Sequence, residues 1–152
     1  MRKTSLTLAA AIVAVVASIA LHAQGTRSTV QVYKDPSCGC CEKWVDHLKQ
    51  AGFTTKTNEV PDIDAVKDAN RVPQKARSCH TATVDGVVLE GHVPAADVQR
   101  FLKERPSGMI GLAVPGMPVG SPGMEVGTRV QPYDVLAFDK EGRTMVFASH
   151  GK

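Results

Sequence analysis

The sequence predicts a single α/β domain in the order β-α-β-α-β-β-α, followed by a loop rich in glycine, proline and methionine and a C-terminal β-hairpin. Short runs of β-formers alternate with stretches of helical period. The dipeptide Asp85-Gly86 joins two of the strands as a hairpin turn. A chain of 152 residues has room for one compact domain and little else.

Residues 1–23 stand apart as a secretory signal peptide. Arg2 and Lys3 give a positive start, Leu8 to Leu21 is apolar except for Ser18, and Ala23 offers a small residue for cleavage before Gln24. Leu21 is larger than cleavage sites prefer. A membrane span wants about 20 uninterrupted apolar residues, which this run does not supply, so cleavage is expected rather than anchoring. No cysteine lies near Gln24 to accept a lipid, and the expected product is a soluble chain in the periplasm, without stable membrane insertion. Residues 24–29 are polar and read as a flexible N-terminus, leaving 30–152 as the folded domain.

Within that domain Val30, Val32 and Tyr33 form a first strand, broken by Asp35-Pro36-Ser37. From Gly39 to Gln50 the period turns helical, with Cys41, Trp44, Val45 and Leu48 on one face and Gly52 past the end as a C-cap. Phe53 to Thr57 reads as the second strand. Val60-Pro61-Asp62 opens a second helix through Ile63 and Val66 toward Asn70, with proline at a favoured first position, and Pro73 stops it. Ser78 to Val84 and Val87 to Leu89 are the hairpin strands, and a third helix runs from Pro94 through Val98, Phe101 and Leu102 to Arg105. That order is thioredoxin-like, a layered α/β structure around one core. Residues 107–128 are dominated by Gly, Pro, Met and Val, which excludes a regular helix there. Val135 to Phe138 and Thr144 to Ala148 close the chain as a hairpin.

Lysine and arginine total 18 against 15 aspartates and glutamates, and the leader carries two of the basic residues and none of the acidic ones. The remaining domain is nearly neutral, which gives no support to nucleic-acid binding through a basic patch. The chemistry lies instead in Cys38, Cys40, Cys41 and Cys79. An even cysteine count in an exported chain ordinarily means disulfides. Here three of the four fall within four residues, so bridges among them would close few long loops and remove little chain entropy.

Cys38-Gly39-Cys40-Cys41 contains C-x-x-C with an extra thiol inside it, placed where a strand gives way to a helix. At a helix start the first cysteine faces unpaired N–H groups and the positive end of the dipole, which stabilises thiolate. Thiolate is both the nucleophile of disulfide exchange and a soft-metal ligand. A redox pair needs only two sulfurs, whereas a multinuclear thiolate site gains from bridging ones, so the third cysteine favours metal. Zinc fits less well, because its structural sites take two separated ligand pairs. Disulfide exchange, with Cys38 attacking and Cys41 resolving, is the alternative, and ordinary structural disulfides are a third reading.

Cys79 begins the strand expected to lie against the first helix's N-terminus, which brings the fourth sulfur to the other three. His80 follows it, and since strand neighbours point to opposite faces, Cys79 rather than His80 is expected in the site. His92 precedes the third helix and is either a ligand or a turn residue. His47, on the polar side of the first helix, and His150, in the tail, read as solvated. Met117 and Met124, each in a Pro-Gly-Met context, have no regular core face to fill; thioether sulfur is a soft neutral ligand that selects Cu(I). Met145 is assigned to the core.

Taken together, Cys38-Gly39-Cys40-Cys41-Glu42-Lys43-Trp44, Ser78-Cys79-His80-Thr81, Glu90-Gly91-His92-Val93-Pro94 and Pro115-Gly116-Met117-Pro118 through Gly123-Met124 resemble the CopG-like family of periplasmic copper-resistance proteins over about residues 30–150. The resemblance implies a thioredoxin-like fold carrying a cysteine-bridged cluster of copper ions, with Cys38, Cys40, Cys41 and Cys79 as its thiols and a role in copper detoxification or copper redox handling. His92, Met117 and Met124 are the further candidate ligands. The expected function is periplasmic binding of copper as Cu(I), by a multinuclear site and in exchange with another copper-handling protein; thiol–disulfide oxidoreduction by Cys38 and Cys41 is the alternative.

Overall fold

The computed structural model describes residues 28–151; the expected signal peptide and most of the polar stretch after it lie outside the described residues. Within them the order is β1 (Thr29–Lys34), α1 (Gly39–Gln50), β2 (Thr54–Glu59), α2 (Ile63–Ala69), a 3-10 turn (Gln74–Ala76), β3 (His80–Val84), β4 (Val87–Glu90), α3 (Ala95–Glu104), β5 (Met109–Ala113), β6 (Tyr133–Asp139) and β7 (Thr144–His150). The strands form one mixed seven-stranded sheet in the order β2-β1-β3-β4-β5-β6-β7. β1 pairs parallel with β2 and antiparallel with β3, and β4 pairs antiparallel with β3 and parallel with β5. Among the described residues no helix is long and apolar enough to cross a membrane.

Period-two alternation sorts the strand side chains into two layers. Val30, Val32, Ala82, Leu89, Leu112 and Val135 face α1 and α3 and pack with Trp44, Leu48, Val98 and Phe101 in the main core. Val88, Ala113 and Phe138 face the other way, against Val72 and Ala76, beside α2. Asp85 and Gly86 both have positive φ, 48° and 76°, as the two-residue turn between β3 and β4 requires.

The predicted elements appear in their predicted order, with three corrections. α2 begins at Ile63, capped by Asp62, whose Oδ1 accepts a hydrogen bond from the Ala65 N–H at 3.0 Å. Pro61 therefore lies outside the helix, since the carboxylate satisfies an orphan N–H group that proline could only omit. β5 lies inside the segment read as irregular: Gly111 breaks the alternation but leaves space that the Phe138 ring and the Val88 carbonyl occupy. Through β5 the C-terminal hairpin extends the main sheet rather than standing apart. Finally, Met145 is 52% exposed and not in the core, because it lies on the edge strand β7.

Candidate metal centre

β1 delivers the chain to the site through a pinned turn. Asp35 accepts hydrogen bonds from the Ser37 N–H at 2.8 Å and the Ser37 hydroxyl at 2.5 Å. The buried Lys34 ammonium donates to the Asp35 carbonyl at 3.1 Å and pairs with Glu42 at 3.1 Å across the start of α1. Cys38 is the N-cap of α1 in extended conformation, and no side chain caps the helix there. The first-turn N–H groups therefore face the cysteine loop with their partial positive charge.

The Sγ atoms of Cys38, Cys40, Cys41 and Cys79 all lie within 4.8 Å of one another. Cys38 and Cys41 are joined in a disulfide, and Cys40 and Cys79 are free thiols. Cys40 Sγ stands 3.6 Å from Cys38 Sγ. Cys41 is fully buried, whereas Cys38 is partly exposed.

A second group, Cys79, His80 and His92, shares its sulfur with the first. Cys79 Sγ is 3.3 Å from His80 Nδ1 and 3.1 Å from His92 Nε2. The expectation that only one of Cys79 and His80 faces the site does not hold. β3 begins at His80, so alternation governs His80, which joins Ala82 and Val84 on the α1/α3 face, while Cys79 sits in the bend before the strand. His80 is fully buried, 4.4 Å from the Trp44 ring and 5.1 Å from the His92 ring, and its Nε2 has no hydrogen-bond partner among the described residues. A buried, unpartnered imidazole nitrogen beside a sulfur cluster is a donor with nothing to bind.

The glycine- and proline-rich segment crosses the site as a strap, and its backbone makes the contacts. The Pro122 carbonyl lies 2.7 Å from His92 Nδ1. Because a carbonyl only accepts, Nδ1 carries the proton and Nε2 presents its lone pair toward Cys79. Gly123, at φ +86°, packs so closely on α1 that a Cβ there would fall 2.9 Å from both the Cys40 carbonyl and the Trp44 nitrogen. Met124 follows that contact and is half-buried; Met117, at the other end of the strap, is 52% exposed.

Burial sets the protonation states. It pushes the Cys79 thiol up to about 12, with the neighbouring Cys40 adding to the effect. It holds His80 well below the usual histidine range, helped by His92 and by the Lys67 ammonium. His92 is lowered by burial against the opposing pull of the Pro122 carbonyl and Glu125. Both imidazoles are thereby kept neutral at pH 7, the form that ligates metal.

His47 and His150 are more engaged than their sequence positions indicate. His47 Nε2 accepts the Ala95 N–H at 3.0 Å, tying α1 to α3. His150 is not a frayed tail: it ends β7, meets Asp97 at 2.7 Å and stacks on Tyr133. Neither joins the sulfur group.

Sulfur and imidazole donors converging in one buried place suit a soft or borderline metal ion far better than calcium or magnesium. Residues 76–124 match the family described as a protein of unknown function, DUF411. No curated protein matches the chain. Two solved structures, described as copper resistance protein copG in forms 1 and 2, each share 42% identity with it. Each superposes with a TM-score of 0.77, covering 82% of this chain and 98% of the other.

Proposed function

The chain belongs to the CopG-like copper-resistance family, and from that premise we propose that it is a periplasmic Cu(I)-binding protein. The observation that carries the reading is the meeting of four sulfurs, three from the start of α1 and one from the bend before β3, within 4.8 Å. Three thiols in four consecutive residues depart from the paired spacing of structural zinc and suit bridging between several Cu(I) ions. All four sulfurs become available as ligands when an external dithiol reductant exchanges with the Cys38–Cys41 bond, leaving as its own disulfide, and copper displaces the protons of Cys40 and Cys79 to solvent. His92 adds a neutral nitrogen donor, and the strap bearing Met117 and Met124 covers the site and slows access of oxygen and chelators.

Thioredoxin-like is the description we give the fold, on the parallel β1-α1-β2 unit, the antiparallel β3-β4 hairpin beside it, and C-x-x-C at the N-terminus of α1. Placement in the periplasm rests on the leader pattern of residues 1–23. Copper is the cargo in this reading, exchanged with another periplasmic copper-handling protein.

One observation favours a second reading, thiol–disulfide oxidoreduction: the Cys38–Cys41 disulfide joins a partly exposed cysteine at a helix N-terminus to a buried one, the arrangement of an attacking and a resolving sulfur. Anaerobic Cu(I) titration of the reduced protein against a competing chelator, with the four Cys→Ser variants in parallel, separates the two. More than one copper per chain, lost when Cys38, Cys41 or Cys79 is replaced, is the expected result. No competition with the chelator, together with copper-independent insulin reduction that requires Cys38 and Cys41, would select the oxidoreductase.

A further inference from the structure

On the face of the sheet opposite α1 lies a buried ionic network that the copper reading does not use. Lys67 of α2 is 2% exposed and Glu90, at the end of β4, is fully buried; Lys67 Nζ meets Glu90 Oε1 at 2.6 Å. The same oxygen accepts the Ser78 N–H at 2.6 Å, and Oε2 accepts the hydroxyl of Thr81, its cross-strand partner, at 2.6 Å. Removing both charges from water is costly, and an apolar pair of like volume would serve packing as well or better. The network instead holds one backbone group, the N–H immediately before Cys79.

Glu90 also leads directly into the other half of the site. Gly91 turns the chain at φ +68° and lies so close to Ser78 that a Cβ there would fall 2.5 Å from the serine Cβ. The Gly91 N–H donates to the His80 carbonyl at 2.9 Å, and His92 follows. One carboxylate thus ties together the segment that carries Cys79 and His80 and the turn that carries His92. We propose that Glu90, with Lys67 as its counter-ion, is a positioning residue that sets Cys79 against His92 and the cysteines of α1. Its functional meaning rests on the copper reading; its geometric claim does not.

Two double variants of the reduced full-length chain separate positioning from folding. Lys67→Met with Glu90→Leu removes both charges and the acceptor for the Ser78 N–H. Lys67→Met with Glu90→Gln removes the charges but keeps a carbonyl acceptor. Iodoacetamide labelling of Cys79, read by peptide mass, is expected to be several-fold faster in the leucine pair than in wild type and to return toward wild type in the glutamine pair. Cu(I) affinity is expected to fall by about 10-fold or more in the leucine pair, the usual effect of removing an outer-shell partner, and to recover in the glutamine pair. Asp139→Asn, at the end of β6 that pairs with Met109 rather than with the Ala113 end, is expected to change neither. Labelling and affinity equal to wild type in both pairs, or equally disturbed in both, would overturn the proposal. If wild type does not compete for copper, the copper reading falls and the labelling comparison alone decides the positioning. Should the leucine pair not fold, amide exchange in wild type decides: protection of the Ser78 N–H like that of the β3 amides is expected, and exchange at an unprotected rate overturns it.

Discussion

Cys79 Sγ and His92 Nε2 stand 3.1 Å apart, and the imidazole is held in that orientation from behind by the Pro122 carbonyl. A residue from the bend before β3, one from the turn before α3 and one from the strap therefore meet in a single line of contacts. Replacing His92 with alanine removes the nitrogen donor and frees the strap at once. Cu(I) affinity should fall by about 10-fold or more, with the four thiols still titratable after reduction. An unchanged affinity would place His92 outside the metal's coordination.

The strap's approach to α1 is steric and can be tested by one carbon atom. Gly123→Ala would set a Cβ 2.9 Å from two backbone atoms at a φ of +86°, where neither neighbour can swing aside. Overpacking and left-handed strain together should destabilise the fold by about 1–3 kcal/mol and speed copper loss to a chelator. A denaturant midpoint and a release rate both equal to wild type would contradict the packing described.

Protonation of the site should shape stability in the copper-free protein with its Cys38–Cys41 disulfide intact. The folded-state pKa of His80 lies below the ordinary 6.5 because burial penalises the cation, so below pH 6.5 the unfolded chain binds a proton that the folded chain refuses. Stability is expected to fall as pH drops from 7 to 5, by up to about 1.4 kcal/mol per pH unit for this one group. Cys79 acts at the other end: with its pKa raised from 9.0 to about 12, the folded chain keeps a proton the unfolded chain loses, and stability falls as pH rises above 9.0. Urea midpoints across pH 5–7 should flatten in His80→Leu. A slope unaffected by that substitution would assign the acid loss to other groups.

Trp44, the sole tryptophan, lies against the His80 ring at a tilt of 41° and donates from Nε1 to the Val93 carbonyl at 2.9 Å. Its emission should therefore track metal loading and saturate at the same copper equivalents as chelator competition. Trp44→Ala should cost about 3–5 kcal/mol, as for other buried aromatics. Emission indifferent to copper, in a protein shown to bind it, would place the metal away from the His80 side.

Local signals carried much of this molecule. The Cys41, Trp44, Val45 and Leu48 period marks α1 to its observed ends, and Asp85-Gly86 marks its hairpin. Gly111 hides β5, because a strand that must admit a neighbour's ring and carbonyl loses the side chain that would have announced it. Alternation does not separate Cys79 from His80, because β3 begins only at His80 and Cys79 precedes it. Lys67 carried a faint signal: it falls four residues after Ile63, on the helix face turned toward the sheet, where a lysine needs a partner.

By itself the sequence determined the order of every element but β5 and the presence of four thiols, three of them at a helix start, since period, turn chemistry and spacing act within a few residues. Only the tertiary structure decided which side chains meet those thiols. Lys67 and Glu90 are 23 residues apart, His92 and Pro122 are 30 apart, and Trp44 and Val93 are 49 apart. Such pairs exist because sheet register and layer packing bring distant backbone together, and nothing in the residues flanking either partner encodes the other.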